Sequence, residues 1–169
     1  MADTQKKIAE NSVTLIKDKI GIFPITPKKY KKITVVPITH YTPAFDEAVF
    51  LCDEFRKKGY EVTYKKDGVT DSDIDECDLL IYALFSGPYK PIGFLDFQAD
   101  EAYKVANALK YGVEKTAVVS FGSPYFGNQY FEIANTYVNA YSMLVPSVKA
   151  FVRAALGEIP FSTFSPVKL

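Results

Sequence analysis

The sequence predicts an α/β protein, a three-layer αβα sandwich with a mostly parallel sheet of about five or six strands. Strand-like and helix-like segments alternate along the whole chain, which is typical of parallel sheets whose strands are joined by helices. The strand-like segments 33–38 and 79–85 are almost continuously apolar, as strands are when helices cover both faces of the sheet, whereas 60–65 alternates apolar and polar residues.

The predicted strands follow from apolar, β-branched runs that end in turn residues. The run at 79–85 is the most apolar of them, so we expect it in the middle of the sheet. Pro37 lies near the end of the run at 33–38, where a missing backbone donor is tolerated. The other predicted strands are 60–65, 115–121 and 136–141.

Helices are predicted from their periodicity and their terminal residues. Thr42-Pro43 opens a helix of about sixteen residues that Gly59 closes, since Pro is favoured in the first turn and Gly after the last. Further helices are predicted at 98–111, stopped by Gly112, and at 146–157. The acidic segment 67–78 is predicted as a loop and a short helix capped by Asp. The alternative is a divalent-cation site, but the offsets of an EF-hand loop are missing.

The length of 169 residues indicates one domain. Residues 1–19, a short polar helix and an apolar run, form a lead-in segment, and 20–169 form the single αβα domain. With 13 Phe and 12 Tyr, we expect a Phe-rich core with Tyr at its rim. The alternative is an aromatic surface that faces a partner.

The composition excludes several functional classes. Twenty basic and twenty acidic residues balance, so a nucleic-acid partner is not indicated. No apolar run has the length needed to span a membrane, so no membrane partner is indicated. Two Cys make no disulfide framework, and the single His40 excludes a His-rich metal site. No metal ligands and no cofactor are predicted.

Candidate contact residues lie in the loops that follow the predicted strands, where open α/β sheets bind ligands and partners. These loops are 39–42, 86–90 and 122–128. Tyr rings in such loops suit both sugar rings and protein surfaces, while turn chemistry and rim packing are the plainer interpretation. The candidates for a substrate cleft or an interface, by position only, are His40, Tyr89, Ser123, Tyr125 and Asn128.

No catalytic residue is predicted. A triad around His40 needs geometry that the sequence does not show, and no GxSxG turn is present. The acidic residues fall mainly on predicted helix surfaces and in the 67–78 loop rather than at strand ends, whereas glycosidases use two carboxylates about the scissile bond.

The last third of the chain carries a resemblance to a known family. Ser120-Phe121-Gly122-Ser123-Pro124-Tyr125 is similar to a "SFGNPY" stretch, and the start at 8–18 and the ending at 156–162 also fit. In this order the segments resemble the C-terminal domain of glycoside hydrolase family 3, in its β-N-acetylglucosaminidase (β-hexosaminidase) branch. Thr163 and Ser165 depart from the family's ending, and no "KHFPGHG"-like stretch occurs.

The resemblance implies that this chain is only one part of an enzyme. In that branch the catalytic residues lie on an N-terminal TIM-barrel-like domain, which would be the partner, and the loops of this domain could contact the sugar. The chain alone is therefore expected to be inactive, to need no cofactor and to expose an apolar patch. Its localisation would be set by the N-terminal part, so the cell compartment stays open.

Two alternatives to this interpretation remain. The chain could be a stand-alone flavodoxin-like module for a small phosphorylated or sugar ligand, although Pro43 removes an amide donor from the first strand–helix loop. It could also pair with itself through the surface meant for the barrel.

Overall fold

The computed structural model describes residues 2–39, 44–85, 104, 112–127, 132–162 and 164–165. The predicted helix at 98–111 lies outside the described residues apart from Lys104, as do most of the loops 39–42 and 86–90. The helices are α1 (Ala2–Ser12), α2 (Ala44–Lys57), α3 (Asp71–Glu76) and α4 (Val145–Ala155). The strands are β1 (Thr14–Asp18), β2 (Lys32–Ile38), β3 (Glu61–Tyr64), β4 (Leu79–Leu84), β5 (Thr116–Ser120) and β6 (Thr136–Asn139).

The strands form one sheet in the order β1-β6-β5-β4-β2-β3. All neighbours are parallel except β1, which runs antiparallel to β6. The most apolar strand, β4, is central, with Ile81 paired to Val35 on one side and to Ala117 on the other. These observations confirm the predicted α/β fold and the place of β4.

A separate core covers each face of the sheet. On one face α2 and α4 pack over a cluster of Phe rings, in which Phe121 stacks on Phe85 at 4.7 Å and meets Phe151 edge-on at 5.6 Å. On the other face Ile74 of α3 and Phe126 pack over Tyr82 and Tyr137. Both tyrosines are fully buried, so the expectation of Tyr at the rim is wrong for them.

The helix termini follow the local rules. Gly59, after α2, has a φ of +88°, the left-handed conformation that glycine adopts without a Cβ penalty. The cap of α3 is Thr70 rather than the predicted Asp. Its hydroxyl accepts from the Asp73 backbone N–H, and the Asp73 carboxylate accepts from the Thr70 N–H, which together form a capping box.

The first residues are joined to the rest of the structure. Helix α1 packs against α4, and β1 pairs with β6. At the end of β1, the Asp18 carboxylate accepts hydrogen bonds from the N–H groups of Ile22 and Phe23 and from the hydroxyl of Thr136. The division of the chain after residue 19 stays a prediction. Among the described residues, no helix is long and apolar enough to cross a membrane.

Candidate functional site

The carboxyl ends of β2, β4, β5 and β6 meet along one edge of the sheet, because these strands are parallel. This is the edge at which open α/β sheets place their ligand and partner contacts. Of the five candidate residues, Ser123 and Tyr125 lie here, in the turn after β5. His40, Tyr89 and Asn128 lie outside the described residues.

Ser123 shapes the turn after β5. Its carbonyl accepts a hydrogen bond from the buried hydroxyl of Ser120 at 2.7 Å. Its own hydroxyl accepts from the Tyr125 backbone N–H at 3.4 Å, in the manner of a serine turn. The turn therefore has a fixed course, and it leaves the side chain of Tyr125 48% exposed.

Asn139, at the end of β6, is a residue that the sequence analysis missed. Its side-chain N–H group donates to the carbonyl of Pro124 at 3.3 Å, which holds the β5 turn over the end of β6. Its side-chain oxygen is buried and has no hydrogen-bond partner within the part of the chain that the structure describes. A buried polar atom of this kind is uncommon and calls for a water or another donor. The only signal in the sequence is an Asn that ends an apolar strand.

Tyr141, in the loop after β6, is a second residue that the sequence analysis missed. Its φ of +60° is a left-handed conformation that bulky residues adopt only under strain. Its hydroxyl lies 3.3 Å from the hydroxyl of Thr14 and 3.1 Å from that of Ser165. These contacts connect the strained loop to β1 and to the end of the chain, and strain of this type is concentrated at functional sites.

The buried titratable groups near the sheet are poor nucleophiles and bases. Burial raises the pKa of the Cys52 thiol to about 11 and raises the pKa values of the Tyr82 and Tyr137 hydroxyls, since a charged form is disfavoured away from water. All of these groups therefore stay protonated at neutral pH. Cys52 and Cys77 are both buried and free.

Three carboxylates reach this edge from the places where the sequence analysis expected acids, a helix surface and the 67–78 loop. Asp46 and Glu47 lie in the first turn of α2, which follows β2, and Asp67 follows β3. One oxygen of Glu47 is buried and has no partner among the described residues. These acids lie toward the β2–β3 end of the sheet, whereas Ser123 and Tyr125 lie toward the β5–β6 end. The described residues hold no group of three or more metal-ligating side chains.

Comparison with solved structures identifies proteins that share the fold of this chain. Over 96% of its length it superposes on 30% of a β-glucoside phosphorylase, BglX, with a TM-score of 0.78 and 26% identity. It also matches a glycoside hydrolase family 3 β-N-acetylglucosaminidase from a Paenibacillus species with a TM-score of 0.67 and 18% identity, covering 97% of this chain and 32% of that one. A family 3 β-glucosidase from Bifidobacterium adolescentis matches with a TM-score of 0.67 and 14% identity, over 93% of this chain and 27% of that one.

These matches confirm the predicted resemblance to family 3 glycoside hydrolases at the level of the fold, and they include both a β-N-acetylglucosaminidase and a β-glucosidase. The fold of this chain is that of one domain of these longer enzymes, and the chain spans about a third of their length or less. No protein-family model matches the sequence, and no curated protein matches it.

Proposed function

We propose that this chain, whose fold is that of the C-terminal domain of family 3 glycoside hydrolases, is the non-catalytic C-terminal domain of a β-N-acetylhexosaminidase. In this proposal an N-terminal barrel hydrolyses the O-glycosyl bond. The domain packs against that barrel and lines one side of its sugar cleft with the turns at the carboxyl edge of its sheet.

The observation that carries the proposal is the coverage of the structural match. Nearly the whole chain, 96%, corresponds to only 30% of BglX. A fold that recurs as one part of longer enzymes is expected to act together with the other part. Interdomain contacts of this kind typically bury roughly 600–1,500 Å².

The specificity for N-acetylhexosaminides is the finer part of the proposal. It is supported by the "SFGNPY"-like stretch at 120–125 and by a family 3 β-N-acetylglucosaminidase among the structural relatives. Other relatives are a β-glucoside phosphorylase and a β-glucosidase. The competing substrate class is therefore a β-glucoside.

The inactivity of the chain alone is supported by the distribution of its described carboxylates. Glycoside hydrolysis uses two carboxyl groups on opposite sides of the scissile bond, about 5–10 Å apart. The acids of the described edge lie at the β2–β3 end, and one oxygen of Glu47 is buried. The turns that carry Ser123 and Tyr125 contain no acid from 121 to 127.

A chimera tests this function. In it, this chain replaces the matching third of BglX, and chromogenic N-acetyl-β-glucosaminide and β-glucoside are offered to the chimera, to BglX without that third and to the chain alone. We expect no turnover by the chain alone, and faster or longer-lived turnover by the chimera than by the truncated BglX.

Two results would overturn the proposal. A chimera no more active or durable than truncated BglX would remove the support role. Turnover by the chain alone would make it an enzyme, and Asp46→Asn and Asp67→Asn would be the first variants to assay. The N-acetylhexosaminidase branch is tested separately on the full-length enzyme that contains this chain: a preference for β-glucosides there would reject that branch but leave the support role intact.

A further inference from the structure

The last described residues of the chain leave the core and run beside β1. Phe161 still packs against the core of its face, and after it the N–H of Ser162 donates to the carbonyl of Val13 at 2.8 Å. Phe164 is 83% exposed, so its side chain contributes little burial that would hold this end in place. We refer to Ser162, Phe164 and Ser165 as the C-terminal strap.

Tyr141 starts the loop that leaves β6 at the carboxyl edge of the sheet. The ladder between β5 and β6 extends one residue past β6, where the N–H of Ala140 donates to the carbonyl of Ser120 at 2.8 Å. Tyr141 then adopts its φ of +60°. A bulky residue keeps such a backbone conformation only where its surroundings hold it there. We refer to residues 141–144 as the β6 loop.

The hydroxyl of Tyr141 joins the β6 loop to the C-terminal strap through a directed chain of hydrogen bonds. The Thr14 hydroxyl donates to the carbonyl of Ser12 at 2.8 Å, so its oxygen is left to accept. The Tyr141 hydroxyl donates to that oxygen at 3.3 Å. Because the Tyr141 proton is used in this way, the contact of 3.1 Å with Ser165 is a hydrogen bond that the Ser165 hydroxyl donates.

This chain of hydrogen bonds ends on a group that needs a donor. Ser12 is the last residue of α1, and the final carbonyls of an α-helix have no partner within the helix. Thr14 is 2% exposed, and hydrogen bonds that follow one another away from water strengthen each other. The chain therefore stabilises the left-handed backbone of Tyr141.

We infer that Tyr141 is a clasp that couples the C-terminal strap to the β6 loop, so that the two segments are held together and are released together. Without Ser165, the β6 loop loses a contact that offsets the strain of Tyr141. Without the Tyr141 hydroxyl, the strap loses a contact that the exposed Phe164 does not replace. The end of the chain thereby positions a loop at the carboxyl edge of the sheet. This inference concerns the domain itself and does not depend on the proposed function.

Amide hydrogen exchange of the chain, resolved by residue with NMR, tests the coupling without an activity assay. Tyr141→Phe removes only the clasp hydroxyl, and Ser165→Ala removes only its partner on the strap. Each variant should speed exchange several-fold at Ser162 and also at Leu144, whose N–H donates to the Ser142 hydroxyl at 3.2 Å. Exchange reports local opening of this kind separately from global unfolding.

One control variant and one control amide accompany the test. Tyr125→Phe removes the hydroxyl of an exposed tyrosine in the β5 turn, and it should change exchange at neither segment. The N–H of Lys65 donates to the carbonyl of Val35 at 3.0 Å, near β3 at the opposite side of the sheet from β1. Its exchange should stay the same in all three variants.

The decisive result is whether a change on one segment reaches the other. Faster exchange at Ser162 in Ser165→Ala, with Leu144 unchanged, overturns the inference. An equal acceleration at Lys65 would show a general loss of stability and would overturn it as well. If Tyr141→Phe does not fold, Ser165→Ala still decides, because Ser165 lies outside both core clusters.

Discussion

The substitution Gly127→Ala tests whether the turn after β5 is shaped by a close approach to a buried ring. A Cβ at position 127 would lie 2.8, 3.0 and 3.1 Å from three ring carbons of Tyr137, distances well inside ordinary van der Waals contact. The ring cannot swing away freely, because Tyr137 is 1% exposed and packs in the core of its face. Overpacking of this kind typically costs about 1–3 kcal/mol.

The measurement is urea unfolding followed by circular dichroism, with thermal melting as a second assay. For a chain of this length, about 1–3 kcal/mol corresponds to a fall of roughly 3–9 °C in melting temperature. The matched background variants are Tyr137→Phe, which keeps the ring, and Tyr137→Leu, which removes it. The loss of stability caused by Gly127→Ala should persist in the Tyr137→Phe background and shrink by more than half in the Tyr137→Leu background. Such a double-mutant cycle isolates the contact between positions 127 and 137.

Two results would refute this reasoning. A loss of stability that is the same in both backgrounds would show that the ring does not cause it. A free energy of unfolding that Gly127→Ala leaves unchanged or raises would show that no clash occurs, because Ala in place of Gly at a φ outside the left-handed region otherwise stabilises a protein.

Further predictions concern the core and two acids. Phe121→Ala removes a fully buried ring that contacts two other rings. It should lower the free energy of unfolding, measured in urea, by about 3–5 kcal/mol. A loss near 1 kcal/mol would contradict the packing described. Glu47→Gln should leave stability unchanged or raise it, because it removes a charge whose buried oxygen has no partner among the described residues. Glu54→Gln, whose carboxylate meets Lys57 at 2.6 Å, should lower stability slightly, and the reverse order would reject this description of Glu47. The hydrogen bond from Lys65, with those from Thr70, lowers the pKa of Asp73 to about 2, so its stabilisation is present above the unfolded pKa near 4 and is lost as pH falls toward 2. Asp73→Asn should therefore flatten the fall in melting temperature between about pH 5 and pH 2, and an unchanged slope would contradict it.

Some elements of the fold could be predicted from the sequence of the element itself and its immediate neighbours. The apolar run at 79–85 predicted a central strand, and β4 is central because both its faces are covered and both its edges are paired. Gly59 predicted the end of α2, because a glycine that adopts a left-handed conformation just after the last turn ends a helix locally. Such features need no information about distant segments.

The site could be predicted only in part. The turn at 122–125 was identified from its Gly, Ser, Pro and Tyr residues, but its anchors, Asn139 and the strained Tyr141, were not. The sequence analysis assigned acids in general to helix surfaces; the structure shows that α2 starts just after β2, which brings Asp46 and Glu47 to the edge. The roles of Asn139 and Tyr141 depend on residues that are distant in sequence, Pro124 and Thr14.

The sequence by itself determined the α/β class, the parallel arrangement of most of the sheet and the resemblance to family 3 glycoside hydrolases. Periodicity, terminal residues and short stretches such as 120–125 carry that information locally. The tertiary structure decided the antiparallel place of β1 beside β6, the burial of Tyr82 and Tyr137, and the hydrogen bond from Asn139 that holds the β5 turn over the end of β6. These depend on which distant segments pack together, and the free energy of that packing is not a property of any one segment.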